Sequence, residues 1–187
     1  MLPPGMSFNA ISNKALEAYK NSKMPKSYFD WGQMLENNKS GFYPYTPATN
    51  LLYGLNESIN MLLEEGLDNV FARHKRLADA TRLAVEAWGL EILAKNPIER
   101  SDSITAIMVP DGHDSDHLRK IIYDNYNMSL GTGLNKVKSK VFRIGHLGDL
   151  NDLSLMGALA GVEMGLKQSG IPYKSGGIMA AIDFLSS

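Results

Sequence analysis

The chain has 187 residues, 44% of them hydrophobic and 21% charged, and a formal net charge of -1. At this length ~70% of the unfolded surface can be buried without staples, and the balanced charge argues against a general nucleic-acid binder or a polybasic membrane protein. With no cysteine there is no disulfide, thiolate zinc site, iron–sulfur cluster or cysteine nucleophile. No run approaches the ~18 apolar residues of a membrane helix and no leader opens the chain, so the expected setting is cytoplasmic.

Five of the eight prolines (Pro3, Pro4, Pro25, Pro44 and Pro47) fall in the first quarter, together with many of the aromatics, among them Phe29, Trp31, Phe42, Tyr43 and Tyr45. Met6 to Ile11 alternates like a strand. Ser12 then reads as the N-cap of a short helix carrying Ala15, Leu16 and Tyr19. Between Met24 and Asn50 there is neither a helical nor a strand period, yet the stretch is too aromatic for a disordered linker. Order is expected there, through packing on something other than its own helix face.

From Leu51 the pattern turns regular. Leu51, Leu52, Leu55, Ile59, Leu62 and Leu63 share a helical face that Gly66 ends. A second helix follows, with Val70, Phe71, Leu77, Ala78, Thr81, Val85 and Trp88 on the buried stripe and Gly89 as its stop. Ile104 to Val109 reads as a buried strand closed by the turn Pro110-Asp111-Gly112. Asp114 or Ser115 caps a helix through Tyr126, with Leu118, Ile121 and Ile122 inward. A strand follows from Val141 to Ile144. Asn151 or Asp149 caps a last long helix on which Leu155, Leu159, Val162 and Leu166 align. Gly176-Gly177 and a short apolar run, Ile178 to Leu185, close the chain. The second half is thus a β-α-β-β-α module on a helical pair, an α+β architecture.

The residues from Asn125 to Gly148 include no acid, but hold Lys136, Lys138, Lys140, Arg143 and His146. The three lysines alternate and, on a strand, would project together into water. Arg143 differs, lying between Phe142 and Ile144. An arginine in an apolar strand needs a partner, because an unpaired buried charge is costly. Two readings stay open: an internal salt bridge to one of the 20 acids, or a receptor for a substrate carboxylate, which the planar fork matches. Gly131-Thr132-Gly133 lacks the rest of any phosphate-loop signature and reads as a hairpin turn. His113 and His117 stand four apart, but His113 precedes the cap, so no metal site is expected. His74, within Arg73-His74-Lys75-Arg76, reads as part of a solvated helix face. No Gly-x-Ser-x-Gly elbow supports a hydrolase.

Three stretches carry a resemblance: Pro3-Pro4-Gly5, then Tyr43-Pro44-Tyr45-Thr46-Pro47-Ala48-Thr49-Asn50-Leu51-Leu52-Tyr53, then Lys140-Val141-Phe142-Arg143-Ile144-Gly145-His146-Leu147-Gly148. With Gly66 to His74 and Gly157 to Gly165, their order and spacing resemble the C-terminal half of class V, fold type I aminotransferases that use pyridoxal phosphate. The nearest branch contains serine–glyoxylate and alanine–glyoxylate aminotransferases. The resemblance implies a large-domain tail and dimer-interface arm over residues 1–50 and connecting helices over 51–90. Residues 91–187 would form a small C-terminal domain, an antiparallel sheet with helices on one face.

The resemblance also implies roles. Arg143 matches the arginine that grips the substrate α-carboxylate. Tyr43 and Thr46 match residues that reach the cofactor phosphate of a neighbouring subunit, and their hydroxyls suit a phosphate, which offers only acceptors. Gly145 and Gly148 would let the backbone turn after the arginine strand. The family's Schiff-base lysine precedes Pro-Pro-Gly and would fall three residues before Met1. Lys14 and Lys20 are out of motif, so no catalytic residue is assigned. The complete enzyme would use pyridoxal phosphate to move an amino group from serine or alanine to glyoxylate. This chain alone would hold no covalent cofactor and be silent, as a homodimer or beside a separate N-terminal half. The alternative is a non-catalytic oligomerisation or binding module.

Overall fold

The structure is a computed structural model describing residues 1–187. The chain falls into two compact units, Met1–Glu64 and Glu65–Ser187.

The first unit contains helices and irregular backbone only. Its helices are α1 (Asn13–Asn21), α2 (Trp31–Asn38) and α3 (Thr49–Glu65), the last reaching the unit boundary. Ser12 caps α1 as its sequence position predicts, accepting from the Ala15 amide. The alternation at Met6–Ile11 does not become a strand, since the unit has no strand edge for it to bond. The stretch without a period nonetheless contains α2. Its cause is local: Asp30 accepts from the Gly32 and Gln33 amides, and the Tyr19 hydroxyl donates to the same carboxylate. That hydrogen bond from Tyr19 holds Asp30 below the usual carboxylate range. The first residues lie along α3, where the Ser58 hydroxyl donates to the carbonyl of Met1 and a side chain at Gly54 would collide with Leu2.

The second unit is α+β, as expected. After α4 (Leu67–Ala87) come β1 (Glu91–Ile92), β2 (Ile104–Met108), α5 (Ser115–Tyr126), β3 (Gly131–Thr132), β4 (Val141–Gly145), α6 (Asp152–Ser169) and α7 (Gly177–Leu185). The four strands form an antiparallel sheet in the order β1-β2-β4-β3. Period-two alternation sorts its faces. Ile107, Phe142 and Ile144 join Leu77, Trp88, Leu118, Ile122, Leu159 and Leu166 from the helices in one core. Ala106 and Arg143, paired in register, point to the opposite face. All four helices of the unit thus contribute to one side of the sheet.

The caps sit where the sequence places them, Asp114 on α5 and Asn151 on α6. Gly89 ends α4 with φ +74°, a conformation that costs a glycine little. Three expectations need correction. Phe71 lies at a core angle on α4 but is 63% exposed. The C-terminal residue of α7, Leu185, is bonded through its carbonyl to Arg76, so Phe71 lies on the part of α4 beyond it. Lys136, Lys138 and Lys140 are not on a strand, because Asn135 and Ser139 adopt positive φ and make a tight turn. The lysines remain exposed. Gly131-Thr132 is a strand, not a hairpin turn, and pairs with β4.

Candidate functional site

Arg143 stands at the middle of β4, opposite Ala106 on β2 and Gly131 on β3. The small neighbours on both sides leave room for its side chain. It enters none of the chain's ion pairs, and its Nε is buried without a hydrogen-bond partner. The internal salt bridge that its position allows is therefore absent. Leaving a buried donor unbonded costs about 1–3 kcal/mol, so the orphan nitrogen is a feature that folding alone does not explain. The two Nη groups stay open.

The strand carrying Arg143 is held firmly at its far end. The His146 amide donates to the carbonyl of Ser103, prolonging the β2–β4 ladder. The His146 ring is fully buried, where Nδ1 donates to the Asp102 carbonyl and Nε2 accepts from the Thr105 hydroxyl. Burial pushes its pKa down, so this ring is neutral and belongs to no positive surface patch. The next loop is clasped from α4. His74 Nε2 accepts from the Gly148 amide at 3.0 Å, while Arg73 donates to the Gly148 carbonyl at 2.7 Å. Arg73 also grips Glu65 through Nε and Nη2, and that pairing holds the Glu65 carboxyl below its ordinary range. His74 is thus a structural tie, not part of a solvated face. Gly148 has φ +81°, as a turn there requires; Gly145 does not have positive φ and simply ends the strand.

On the other side, β3 is anchored by α5. Arg119 Nε donates to the Leu130 carbonyl at 2.8 Å, and Asp116 accepts from Thr132 and Ser139 hydroxyls at 3.0 Å each. Burial opposes the charge on Asp116, but these hydroxyls and Arg119 outweigh it and lower its pKa. No sequence signal marked Arg73, His74, Asp116 or Gly131 as supports, since each acts on a segment brought near only by folding.

Tyr43 and Thr46 belong to the first unit. Both are exposed on the loop Gly41–Pro47, which curls round an open concavity of about 660 Å³. Their neighbour Tyr45 packs on Tyr28 and bonds Ser27, which fixes the loop from within. The hydroxyls of Tyr43 and Thr46 are left as free donors, the chemistry that phosphate oxygens accept.

Comparison with known proteins gives these features a setting. Over 100% of this chain and 47% of its own length, the serine–glyoxylate aminotransferase of Hyphomicrobium methylovorum is 51% identical. A ureidoglycine–glyoxylate aminotransferase from Bacillus subtilis superposes with TM-score 0.83 at 26% identity, covering 93% of this chain and 46% of that one. A pyridoxamine–pyruvate aminotransferase from Mesorhizobium loti gives 0.81 at 29%, covering 94% and 46%. No family model matches. The fold is that of the C-terminal half of the class V aminotransferases among its structural neighbours. Serine–glyoxylate aminotransferases are thus similar to the chain along its whole length, and the chain spans about half the length of the relatives it matches.

Proposed function

We propose that this chain is the part of a serine–glyoxylate-type aminotransferase that receives the substrate's carboxylate, with Arg143 as the receptor. One observation carries the reading: a guanidinium without an acidic partner on the sheet face opposite the helical core. Amino acids and 2-oxo acids share a carboxylate, so one receptor serves serine or alanine as donor and glyoxylate as acceptor. Tyr43 and Thr46 fit the phosphate of a cofactor held by a neighbouring subunit, their hydroxyls being exposed and unbonded. When bound, pyridoxal phosphate supplies the electron sink for amino transfer. In this scheme residues 1–50 are the large-domain tail and arm, 51–90 the connecting helices and 91–187 the small domain of a cytoplasmic enzyme. No lysine of the chain occupies the imine-forming motif, and in this reading that lysine comes from an N-terminal half.

The test is reconstitution. The chain is mixed with a separately made N-terminal half of a relative and with pyridoxal phosphate. Cofactor colour and glyoxylate-dependent loss of serine are expected. Arg143→Ala keeps the colour and raises KM for both substrates by about 100-fold. No colour and no turnover in the mixture would overturn the proposal.

A second reading is favoured by the apolar surface of the first unit, where Phe8, Tyr28, Phe29 and Phe42 are all exposed. On this reading the chain is a non-catalytic self-association module. Light scattering then shows an oligomer, with or without serine and glyoxylate. A monomer indifferent to both removes this reading.

A further inference from the structure

Arg143 can meet a carboxylate in two ways, through its Nη pair at the tip or through Nε and one Nη along its edge. The structure separates these. Gly131 is the register partner of Arg143 across β3–β4. A Cβ added at Gly131 would lie 3.0 Å from both the Cβ and the Nε of Arg143, and 3.4 Å from its Cζ. The arginine side chain therefore lies along the bare α-carbon of β3, and the Nε is covered there without a partner. Nor can β3 swing aside. Leu130 is bonded to Arg119, and Thr132 is bonded to Asp116, so the residues on both sides of Gly131 are tied to α5.

We propose that Gly131 is the positioning residue for Arg143: its missing side chain lets the guanidinium lie along β3, closing the Nε edge and leaving the Nη tip to take a carboxylate end-on. The inference rests on the reading of Arg143 as a carboxylate receptor. It adds which edge of the fork binds and which residue decides that. With a side chain at Gly131, the contact with the Arg143 Cβ has to be taken up by a small shift of the strands, and the Nε and Cζ are pressed off β3 by a few tenths of an ångström. The Nε edge then loses its cover and the fork its alignment along β3.

The experiment uses the full chain with ¹⁵N-labelled arginine, observed through its Nε–H and Nη–H resonances by NMR while L-serine and then glyoxylate are added. The Arg143 Nε–H is expected to exchange slowly with solvent and to shift little on titration, while its Nη–H resonances move. In Gly131→Ala the Nε–H exchanges faster than in wild type and serine binds about tenfold more weakly, while the chain still melts cooperatively. A shift concentrated on Nε–H would overturn end-on binding while leaving the receptor reading intact. Unchanged binding and slow Nε–H exchange in a folded Gly131→Ala chain would overturn the role of Gly131. If no Arg143 resonance moves, the receptor reading itself fails and takes this inference with it. The wild-type exchange rate stands whether or not the variant folds: rapid exchange there overturns the closed edge directly.

Discussion

The two units of the chain are built on opposite principles. Residues 65–187 contain all 23 buried hydrophobic residues, gathered from four helices and the sheet. Residues 1–64 contain no buried hydrophobic residue, and Ser58 is the only one of them that is buried. What organises the first unit is local: the caps of Ser12 and Asp30, the Tyr19–Asp30 bond, and aromatic pairs such as Tyr28–Tyr45. Such contacts contribute about 1 kcal/mol apiece, too little to offset the backbone entropy of some sixty residues. A core supplies that stabilisation, and only the second unit has one. Aromatic side chains at the surface of the first unit are therefore understandable as groups whose covering surface lies outside it.

Cutting the chain between Glu64 and Glu65 puts this contrast to the hardest test. The fragment 65–187 should melt cooperatively by circular dichroism, and 1–64 should show no cooperative transition. A sharp melt of 1–64 would break the comparison. A matched pair of truncations comes next. Phe142→Ala, at a fully buried site, should cost about 3–5 kcal/mol in urea unfolding. Phe42→Ala, at a residue 69% exposed, should stay within about 0.5 kcal/mol. An equal cost at Phe42 would mean that another surface covers the first unit in solution.

Acid sharpens the contrast further. Folded His146 resists a proton that it accepts near its ordinary value of 6.5 when unfolded. The unfolded chain thus binds more protons in that window, and the second unit should lose stability as pH falls below about 6.5. Asp30 is depressed from 3.8 instead, so its contribution to the first unit is present above that value and lost only as pH falls below it. Thermal midpoints measured from pH 7.5 to 5 should therefore fall for wild type and be flatter for His146→Gln. A local effect completes the series: Asp30→Ala should reduce helical ellipticity by the loss of α2, leaving the melt of the second unit unchanged.

Much of the second unit is legible without coordinates. The 3.6-residue period marks α4, α5 and α6, and Asp114, Asn151 and Gly89 mark their ends. A long apolar period has many residues voting for the same answer. Short elements do not: β1 and β3 have two residues each, and their pairing with longer strands is what makes them strands. The helix α2 was readable from Asp30 and Gln33, a capping-box pattern that survives without an apolar period. The alternating lysines mislead because positive φ at Ser139, whose hydroxyl bonds Asp116, breaks the extended backbone that alternation assumes.

For the site, the sequence by itself determined that an arginine lies inside an apolar strand and that this arrangement demands a counter-charge or a ligand. The flanking residues also determined the resemblance to class V aminotransferases, which the 51% identity over the whole chain supports. Only the tertiary structure decided that no acid of the chain answers Arg143. Only it placed Gly131 beneath the side chain, and His74 and Arg73 on Gly148. Charge pairing and steric room depend on which distant segments meet, and a strand's own sequence holds no information about the residue that stands opposite.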